Sequence, residues 1–550
     1  MTDIAESMPF AITLPVGSSL QDLTGSWRTE RPVYMHMLPP CNKACPAGEN
    51  IQEWLSLAEE HDYEGAWREM MVNNPFPATM GRVCYHDCEV ECNRAKIDEA
   101  VGINSIERFI GDQALEKGWK VDPVNPASGK TVLVVGGGPS GLSAAYHLAR
   151  LGHTVTVVDS GEELGGMMRY GIPSYRLPRN ILDAEIKRIE DMGVTMKPNT
   201  TVEDLNAELD KYDAVFIAVG AQVGKHLDIP AATASHVVDA VQMLHEVQED
   251  KQNESVEKPL LGRRVVVYGG GNTAIDAART AQRLGAHDPV IVYRRTQQQM
   301  PAHQSEYEEA TEEGIKVKWL STIDSIGESE IQIEKMELDE NGYPQPTGEY
   351  ETLAADDVVM AVGQVSDLGL LNGVDGIEIE KGVVKVDTSM MTGHKGLFAG
   401  GDMVPTPDKN VTVAIGHGKK AARNIDAYLR GSEYRPEPKH PDAAVSRLTT
   451  WYYSDAPLQV RGKLEEARRR DTFDEVVRGL DEDSAVFEAR RCMSCGNCFG
   501  CDNCFAVCPD NAVIKIEPGT YEFNYDYCKG CGVCYQECPC GCIQMVPEQI

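Results

Sequence analysis

Apolar and polar positions follow two rhythms along this chain, one suited to buried strands and one to helices. At 131–135 the run TVLVV is apolar and β-branched, as a strand buried on both faces would be. Glycines follow, and LSAAYHLARLG then spaces its apolar residues as a helix does, so strand, tight turn and helix are expected in that order. A second β-branched run, TVTVVD, ends at Asp159. The unit recurs at 264–275, RVVVYGGGNTAI, with VIVYRR as its next strand. Further on, Leu397, Phe398 and Ala399 lead into Gly400, Gly401 and Asp402, ahead of a helix opening with Thr412, Val413, Ala414 and Ile415. Residues 51–71 read as helix, with Ile51, Trp54, Leu55 and Ala58 on one face and Trp67, Met70 and Met71 on another short stretch. NNPFP breaks that helix, and its aromatic and methionine positions are expected in a core.

The glycines change this from architecture to chemistry. In Gly136-x-Gly138-x-x-Gly141 the missing side chains let backbone approach a pyrophosphate, which then sits on the free N–H groups where Pro139 and Ser140 open the helix. Asp159, at the end of the next strand, is placed for an adenosine ribose. Gly269, Gly271, Asn272 and Thr273 repeat the arrangement, and two such sites in one chain imply two different dinucleotides. After the second, Arg294 and Arg295 stand where an NAD site usually places an acid, so NADP is expected ahead of NAD.

At 550 residues several domains are expected, and a formal charge of -33 argues against a nucleic-acid partner, whose phosphates need clustered Lys and Arg. No run of about 18 uncharged apolar residues occurs, and MTDIAESMPFAITLPVG has no basic region before an apolar core, so the expectation is a cytoplasmic protein without a membrane span. The 17 cysteines avoid the whole interval between Cys92 and Cys492. Two clusters of thiols bracketing a cysteine-free middle suggest metal sites in a reducing compartment rather than disulfides. In the last sixty or so residues the spacing is that of a bacterial ferredoxin, read twice, with each fourth cysteine before a proline and reaching across to the other cluster. Cys498, Cys501, Cys504 and Cys538 are thus expected to hold one [4Fe-4S] cluster, and Cys528, Cys531, Cys534 and Cys508 the other.

From about residue 40 to 430 the chain resembles the small subunit of glutamate synthase and its relatives, including the N-terminal part of dihydropyrimidine dehydrogenase. The residues that carry the likeness are Cys45-Pro46, Gly81-Arg82-Val83-Cys84, the loop from Gly165 to Pro173, Gly269 to Ala274, and Tyr293-Arg294-Arg295. The resemblance implies FAD in the first nucleotide site, with Gly166 and Arg169 in a loop lining the flavin, and Gly401 and Asp402 on its ribityl chain. It also implies Cys45, Cys84, Cys88 and Glu107 as ligands of a flavin-proximal cluster, with an exposed helix glutamate the alternative for Glu107. That family completes a second N-terminal cluster with an upstream Arg-Cys-x-x-Cys, which is absent before Cys41; Arg491-Cys492-Met493-Ser494-Cys495 offers it from the other end, to join Cys41 and Cys92. The alternative leaves those four as buried thiols and the total at three clusters instead of four. The segment from Tyr525 to Cys531 is similar to the ferredoxin-like subunit of 2-oxoacid:ferredoxin oxidoreductases, from which Cys540 and Cys542 depart; no role is assigned to them.

The fold expected is α/β, with two nested dinucleotide-binding domains, an N-terminal helical iron–sulfur domain and a C-terminal α+β ferredoxin domain. Boundaries are expected at 1–126 (helical), 127–258 with 355–432 (FAD), 259–354 (NAD(P)), 433–490 (linker) and 491–550 (ferredoxin). The function expected is exchange of hydride between NAD(P)(H) and FAD and of single electrons between FAD and clusters. No side-chain acid, base or nucleophile is required, so no catalytic residue is named. A dithiol beside the flavin, which a disulfide reductase of this architecture needs, is missing from the cysteine-free middle. The chain reads as the nucleotide-linked subunit of a larger redox complex, with a 2-oxoacid oxidoreductase preferred as partner over sulfur-metabolism enzymes or glutamate synthase, and with a non-catalytic carrier or scaffold as the contrasting class.

Overall fold

A computed structural model describes residues 23–121, 125–225, 227–232, 236–249 and 262–548. The N-terminal stretch read for a leader and the expected boundary at 258/259 lie outside the described residues. Among the described residues no helix is long and apolar enough to cross a membrane.

Two five-stranded parallel sheets form the frame. The first runs Leu397–Ala399, Ala214–Ile217, Thr131–Val135, Thr154–Val158, Thr195–Lys197, and its central strand is covered on both faces, which is why TVLVV is apolar without alternation. Helices Pro139–Arg150 and Val411–Leu429 pack together over it. Their approach needs Gly418, where a Cβ would lie 2.2 Å from the Ser140 carbonyl oxygen.

The second sheet runs Lys316–Lys318, Val290–Val292, Val265–Tyr268, Asp357–Met360, His236–Asp239. Strands Asp357–Met360 and His236–Asp239 fall outside the expected range 259–354 and correct it. DVVM is flanked on both sides by parallel partners of this sheet, and a run of four residues carries no period that would reveal which sheet owns it. The passage between the two domains is instead a short antiparallel pair, Val223–Gly224 with Gln364–Val365. An antiparallel meander, Ser321–Ile326, Glu330–Leu338 and Pro344–Ala354, is added to the second domain.

In the N-terminal domain the helix expected over 51–71 is two, Ile51–Glu59 and Tyr63–Met71, divided at His61, which has a φ of 64°. Asp62 caps the second by accepting from the Gly65 N–H. Ile51, Trp54, Leu55, Ala58, Trp67, Met70 and Met71 are all buried. Helices Pro77–Val83 and Ile103–Lys117 cross closely at Gly81 and Gly111, where a Cβ would come within 2.5 Å of the opposite backbone.

The segment 433–490 is not a free linker. Helix Glu482–Ala489 packs on Ile51–Glu59 and Ile103–Lys117, and Arg461 and Arg108 exchange bonds between this segment and the helical domain, to the Gly81 and Val477 carbonyls. Buried Glu488 accepts from the Gly102 and Gln459 N–H groups and pairs with Arg491, whose guanidinium also reaches Asp98 and the carbonyls of Glu99, Ala100 and Ala456. An Arg at this position drives the segment inward because its five donors need partners once buried. The expected 1–126 and 491–550 domains also share a sheet: Glu30–Tyr34 pairs antiparallel with Ile543–Pro547.

The nucleotide domains are joined by buried charge. Arg176, on the loop after the first domain's Pro173, pairs with Asp276 at 2.8 Å and with Glu306 in the second domain. Beside them Glu313 receives Arg279 at 2.7 Å and Arg283 at 2.8 Å, with the Tyr175 ring against both guanidinium groups. Glu313 and both arginine side chains are fully buried, so Glu313→Ala would strand the Arg283 charge in the interior and leave Arg279 only Glu309 at 3.1 Å and Glu306 at 3.7 Å. The expected effect is a loss of about 3–5 kcal/mol, read as an earlier transition in urea unfolding of the holoprotein; an unchanged midpoint would contradict it.

Candidate functional site

Strand Thr131–Val135 delivers the chain into a turn that only glycine tolerates. Gly136 has φ 106°, and a Cβ there would meet the Ala218 carbonyl oxygen at 2.4 Å. A Cβ at Gly141 would lie 1.9 Å from the Gly136 oxygen. Gly138 is different: its open side faces Gly166, 3.8 Å from where a Cβ would stand, and beyond it a cleft of about 320 Å³ opens. Gly138, Pro139, Ser140, Gly166, Gly401 and Asp402 line that cleft. Ser140 Oγ is buried without a hydrogen-bond partner at the N-terminus of a 12-residue helix, which suits the phosphate of a dinucleotide. Burial raises the Asp402 carboxyl above its usual range. Asn410 caps helix Val411–Leu429, whose first turn faces the same cleft. These residues fit FAD.

Two expected flavin residues are not among those that line this cleft. Asp159 accepts the Gly137 N–H at 2.6 Å and the Gly161 N–H at 2.7 Å, holding the glycine turn. Arg169 does not reach the cleft either. Its guanidinium is buried on Glu163, Asp183 and the Leu164 carbonyl, because the short helix Met167–Tyr170 turns it toward the following helix. The loop arginine that does line the cleft is Arg176.

Gly271, Asn272 and Thr273 border the same cleft from the second domain, so both glycine turns open onto one space. Behind them a cavity of about 390 Å³ is lined by Gly269, Gly271, Thr273, Tyr293, Arg294 and Arg295. Neither Arg294 nor Arg295 forms an ion pair among the described residues, and Arg295 Nε is buried without a partner, as an anion-binding pair would be. A larger cavity of about 980 Å³ near Trp119 and Val155 contains no glycine-turn residue and no thiol.

The thiols fall into sets. Cys84 ends helix Pro77–Val83, and its neighbours Val83 and Tyr85 line the cleft; the Thr412 hydroxyl donates to its sulfur at 3.3 Å. Cys45, Cys88 and Glu107 lie close enough to Cys84 to act on one another's charge. Burial, reinforced by these neighbours, pushes Cys84 up to about 12 and raises Cys45 and Cys88 well above the ordinary thiol range, so the thiolate form needs a cation among them. That donor set fits an iron–sulfur cluster. Glu107 is fully buried, not an exposed helix residue, and the Asn74 amide donates to it and to Glu49, each at 2.9 Å. Burial, and then Glu49, hold the Glu107 carboxyl well above the usual range.

Cys41, Cys92, Cys492 and Cys495 line one small pocket. Burial and the three other sulfurs raise Cys41 well above the ordinary thiol range, and burial raises Cys495 to about 11. Cys508, Cys528, Cys531 and Cys534 line another pocket, and Cys498, Cys501 and Cys538 surround Cys504, whose sulfur bonds the Tyr34 hydroxyl at 3.3 Å. Cys540 and Cys542, which the sequence left without a role, are buried against Cys538, with sulfur separations of 3.7 and 3.6 Å.

The profile described as pyridine nucleotide-disulphide oxidoreductase matches residues 130–418. The chain belongs to that family. A second profile, dihydropyrimidine dehydrogenase domain II, 4Fe-4S cluster, matches residues 30–119. Among curated relatives, the NADP(+)-dependent formate dehydrogenase subunit beta of Moorella thermoacetica is 34% identical over 505 residues, covering 83% of this chain and 70% of the relative. The NADPH-Fe(3+) oxidoreductase subunit beta of Geobacter sulfurreducens is 30% identical, with 83% and 75% covered. The glutamate synthase [NADPH] small chain of Azospirillum brasilense is 34% identical, with 72% and 88% covered. The resemblance to glutamate synthase small subunits therefore holds, and the family makes this chain an oxidoreductase with flavin and pyridine-nucleotide domains and an N-terminal iron–sulfur domain.

Sequence reasoning missed Tyr85, Arg176 and Thr412. Tyr85 stacks on His303 of the second domain, ring centroids 4.9 Å apart, and so roofs the cleft. Its place directly after a ligand cysteine was a usable signal; Thr412 was seen only as the start of a helix. Because a Cβ at Gly141 has no room, Gly141→Ala is expected to displace the turn and lower bound flavin at least tenfold, measured by absorbance near 450 nm per chain. Iron content should be unaffected.

Proposed function

We propose that this chain is the nucleotide-linked electron-transfer subunit of a larger redox complex, exchanging electrons between NADP(H) and four [4Fe-4S] clusters. FAD bound in the cleft would supply the conversion between two-electron hydride transfer and one-electron steps. Gly138 and Ser140 bind its phosphates by backbone N–H groups and a hydroxyl. Asn272 and Thr273 edge a second dinucleotide into the same cleft, and Arg176, held by Asp276 and Glu306, keeps the two domains in register. Thr412 holds a donor on Cys84 at the cleft wall.

The observation that carries this reading is the meeting of Cys41, Cys92, Cys492 and Cys495 around one pocket. It supports a fourth ligand set between the cleft-side thiols and the ferredoxin thiols. Cys41 lies in a short helix that Cys45 ends, Cys92 follows the short helix of Cys88 by two residues, and Cys495 is three residues from Cys498, so neighbouring sets follow in series. The partner we favour is a 2-oxoacid:acceptor oxidoreductase, supported by the likeness of the Tyr525–Cys531 segment to that group's ferredoxin-like subunit; co-purification of the native complex tests it. Recovery of a different catalytic subunit would replace that partner and leave the electron-transfer reading standing.

Anaerobically purified protein is expected to hold about sixteen iron atoms per chain, and Cys492→Ala to hold about twelve. About twelve in the unaltered protein would overturn the fourth cluster. For the nucleotide, NADPH is expected to exceed NADH in kcat/KM, and Arg294→Ala to lower the NADPH value about tenfold or more with little change for NADH. Equal values for the two nucleotides would remove the 2′-phosphate assignment.

A further inference from the structure

The ferredoxin domain is built twice. Helix Asn503–Ala506 and strand Val513–Glu517 in one half answer to helix Val533–Gln536 and strand Ile543–Pro547 in the other. In this repeat Cys508-Pro509-Asp510-Asn511-Ala512 corresponds to Cys538-Pro539-Cys540-Gly541-Cys542. Cys540 thus replaces Asp510, and Cys542 replaces Ala512. The two replacements are buried, each 2% exposed, and with Cys538 their sulfurs all lie within 4.8 Å of one another.

As a cluster ligand, Cys538 has a sulfur with no proton and can only accept a hydrogen bond. The 3.7 Å contact then runs from the Cys540 S–H, and the one Cys542 S–H faces two ligand sulfurs of the set, Cys538 at 3.6 Å and Cys498. The Tyr34 hydroxyl donates to Cys504 of the same set. In the twin set no cysteine sulfur accepts a side-chain hydrogen bond among the described residues; Cys508 takes only the Ala512 N–H. Of the cations nearest the twin, Lys529 pairs with Asp510, while Arg28 pairs with Glu548 and also donates to the Cys528 carbonyl at 3.2 Å, so its contact with the twin is to backbone and not to a ligand sulfur.

We propose that Cys540 and Cys542 are positioning thiols that hydrogen-bond the ligand sulfur of Cys538, giving the cluster held by Cys498, Cys501, Cys504 and Cys538 a higher reduction potential than its twin. Reduction adds negative charge that spreads onto the ligand sulfurs, and a donor aimed at one of them stabilises the reduced state more than the oxidised one. A thiol is a weak donor, but in a site without water its dipole is little screened. The half so favoured is the one against the body of the protein. The Gly496 N–H bonds the Cys540 carbonyl at 2.6 Å, and the Tyr453 hydroxyl, close to Cys540, bonds the Met493 carbonyl. Electrons in the ferredoxin domain would rest on the inner cluster and pass through the outer one only in transit.

This inference rests on the four-cluster reading, and its test separates the two. Full-length holoprotein is titrated anaerobically and followed by EPR, with iron measured on the same samples. The unaltered protein should show two ferredoxin signals with distinct midpoints. Cys542→Ala reproduces the residue that the other half already accommodates, so it should fold and keep about sixteen irons. In it, and further in the variant with Cys540→Ala added, the upper midpoint should fall toward the lower one, by about 59 mV for a tenfold change in the one-electron equilibrium. Cys542→Ser, which keeps a donor, should retain most of the original value. Unmoved midpoints with full iron overturn the inference, as does a loss of about four irons in the alanine and serine variants alike, which would make these cysteines ligands. Absence of the two ferredoxin signals from the unaltered protein overturns the cluster reading, and the inference with it.

Discussion

Four sulfurs from opposite regions of the sequence converge on one small pocket, and much of the architecture serves that convergence. Cys92 and Cys492 stand about 400 residues apart, with both nucleotide domains between them. Bringing them together requires residues 433–490 to travel back across the second nucleotide domain and the helical domain. The path is fixed by ionic contacts rather than by a continuous apolar seam: Lys463 and Arg469 on Glu312 at the surface, and the more buried Arg82 on Glu475 and Arg491 on Glu488 and Asp98. The Arg491–Glu488 pair would be costly to break, since a lone charge would be left where water does not reach.

The same use of buried charge orders the nucleotide domains. Arg176 meets Asp276 and Glu306 in the wall of the cleft, so the side built by the first nucleotide domain is tied to the side built by the second. A flavoprotein that exchanged electrons with a dithiol would have to offer its flavin to that dithiol. Here the cleft wall toward the helical domain is occupied by Val83 and Tyr85, the neighbours of Cys84, and Tyr85 is stacked on His303. Thiols and flavin cleft share a wall because helix Pro77–Val83 can press against Ile103–Lys117 through two glycines.

What could be read from the sequence was whatever depends on spacing. Glycine turns, β-branched strands, the helix faces of Trp54 and Trp67, and the ferredoxin cysteine runs are each encoded within a few neighbouring residues. The ownership of the strands at 236–239 and 357–360 is not local, because a four-residue apolar strand fits either sheet and only its hydrogen-bonded neighbours decide. Arg169 misled for a related reason: its loop borders the cleft through Gly166 and Met167, but Glu163 and Asp183 compete for its charge and turn it away. The segment 433–490 read as a linker because its helices are short and polar, with few apolar positions to give a period. Arg491 was visible beside Cys492, yet nothing near it in sequence announced the glutamate and carbonyls that bury it.

The pairing of Glu30–Tyr34 with Ile543–Pro547 sets an order of events during synthesis. The early strand, with Tyr34 and the Arg28 side chain that bonds the Tyr525 and Cys528 carbonyls, has no partner until the ribosome has made nearly everything between. Closing so long a loop adds only modestly to its entropy, because that term grows with the logarithm of length. The delay is one of time, not of stability. At translation speeds of roughly 5–20 residues per second, Cys41 and Cys92 wait tens of seconds for Cys492 and Cys495. Over that interval the nascent protein carries two of the four thiols that line the pocket, without the two that complete the set.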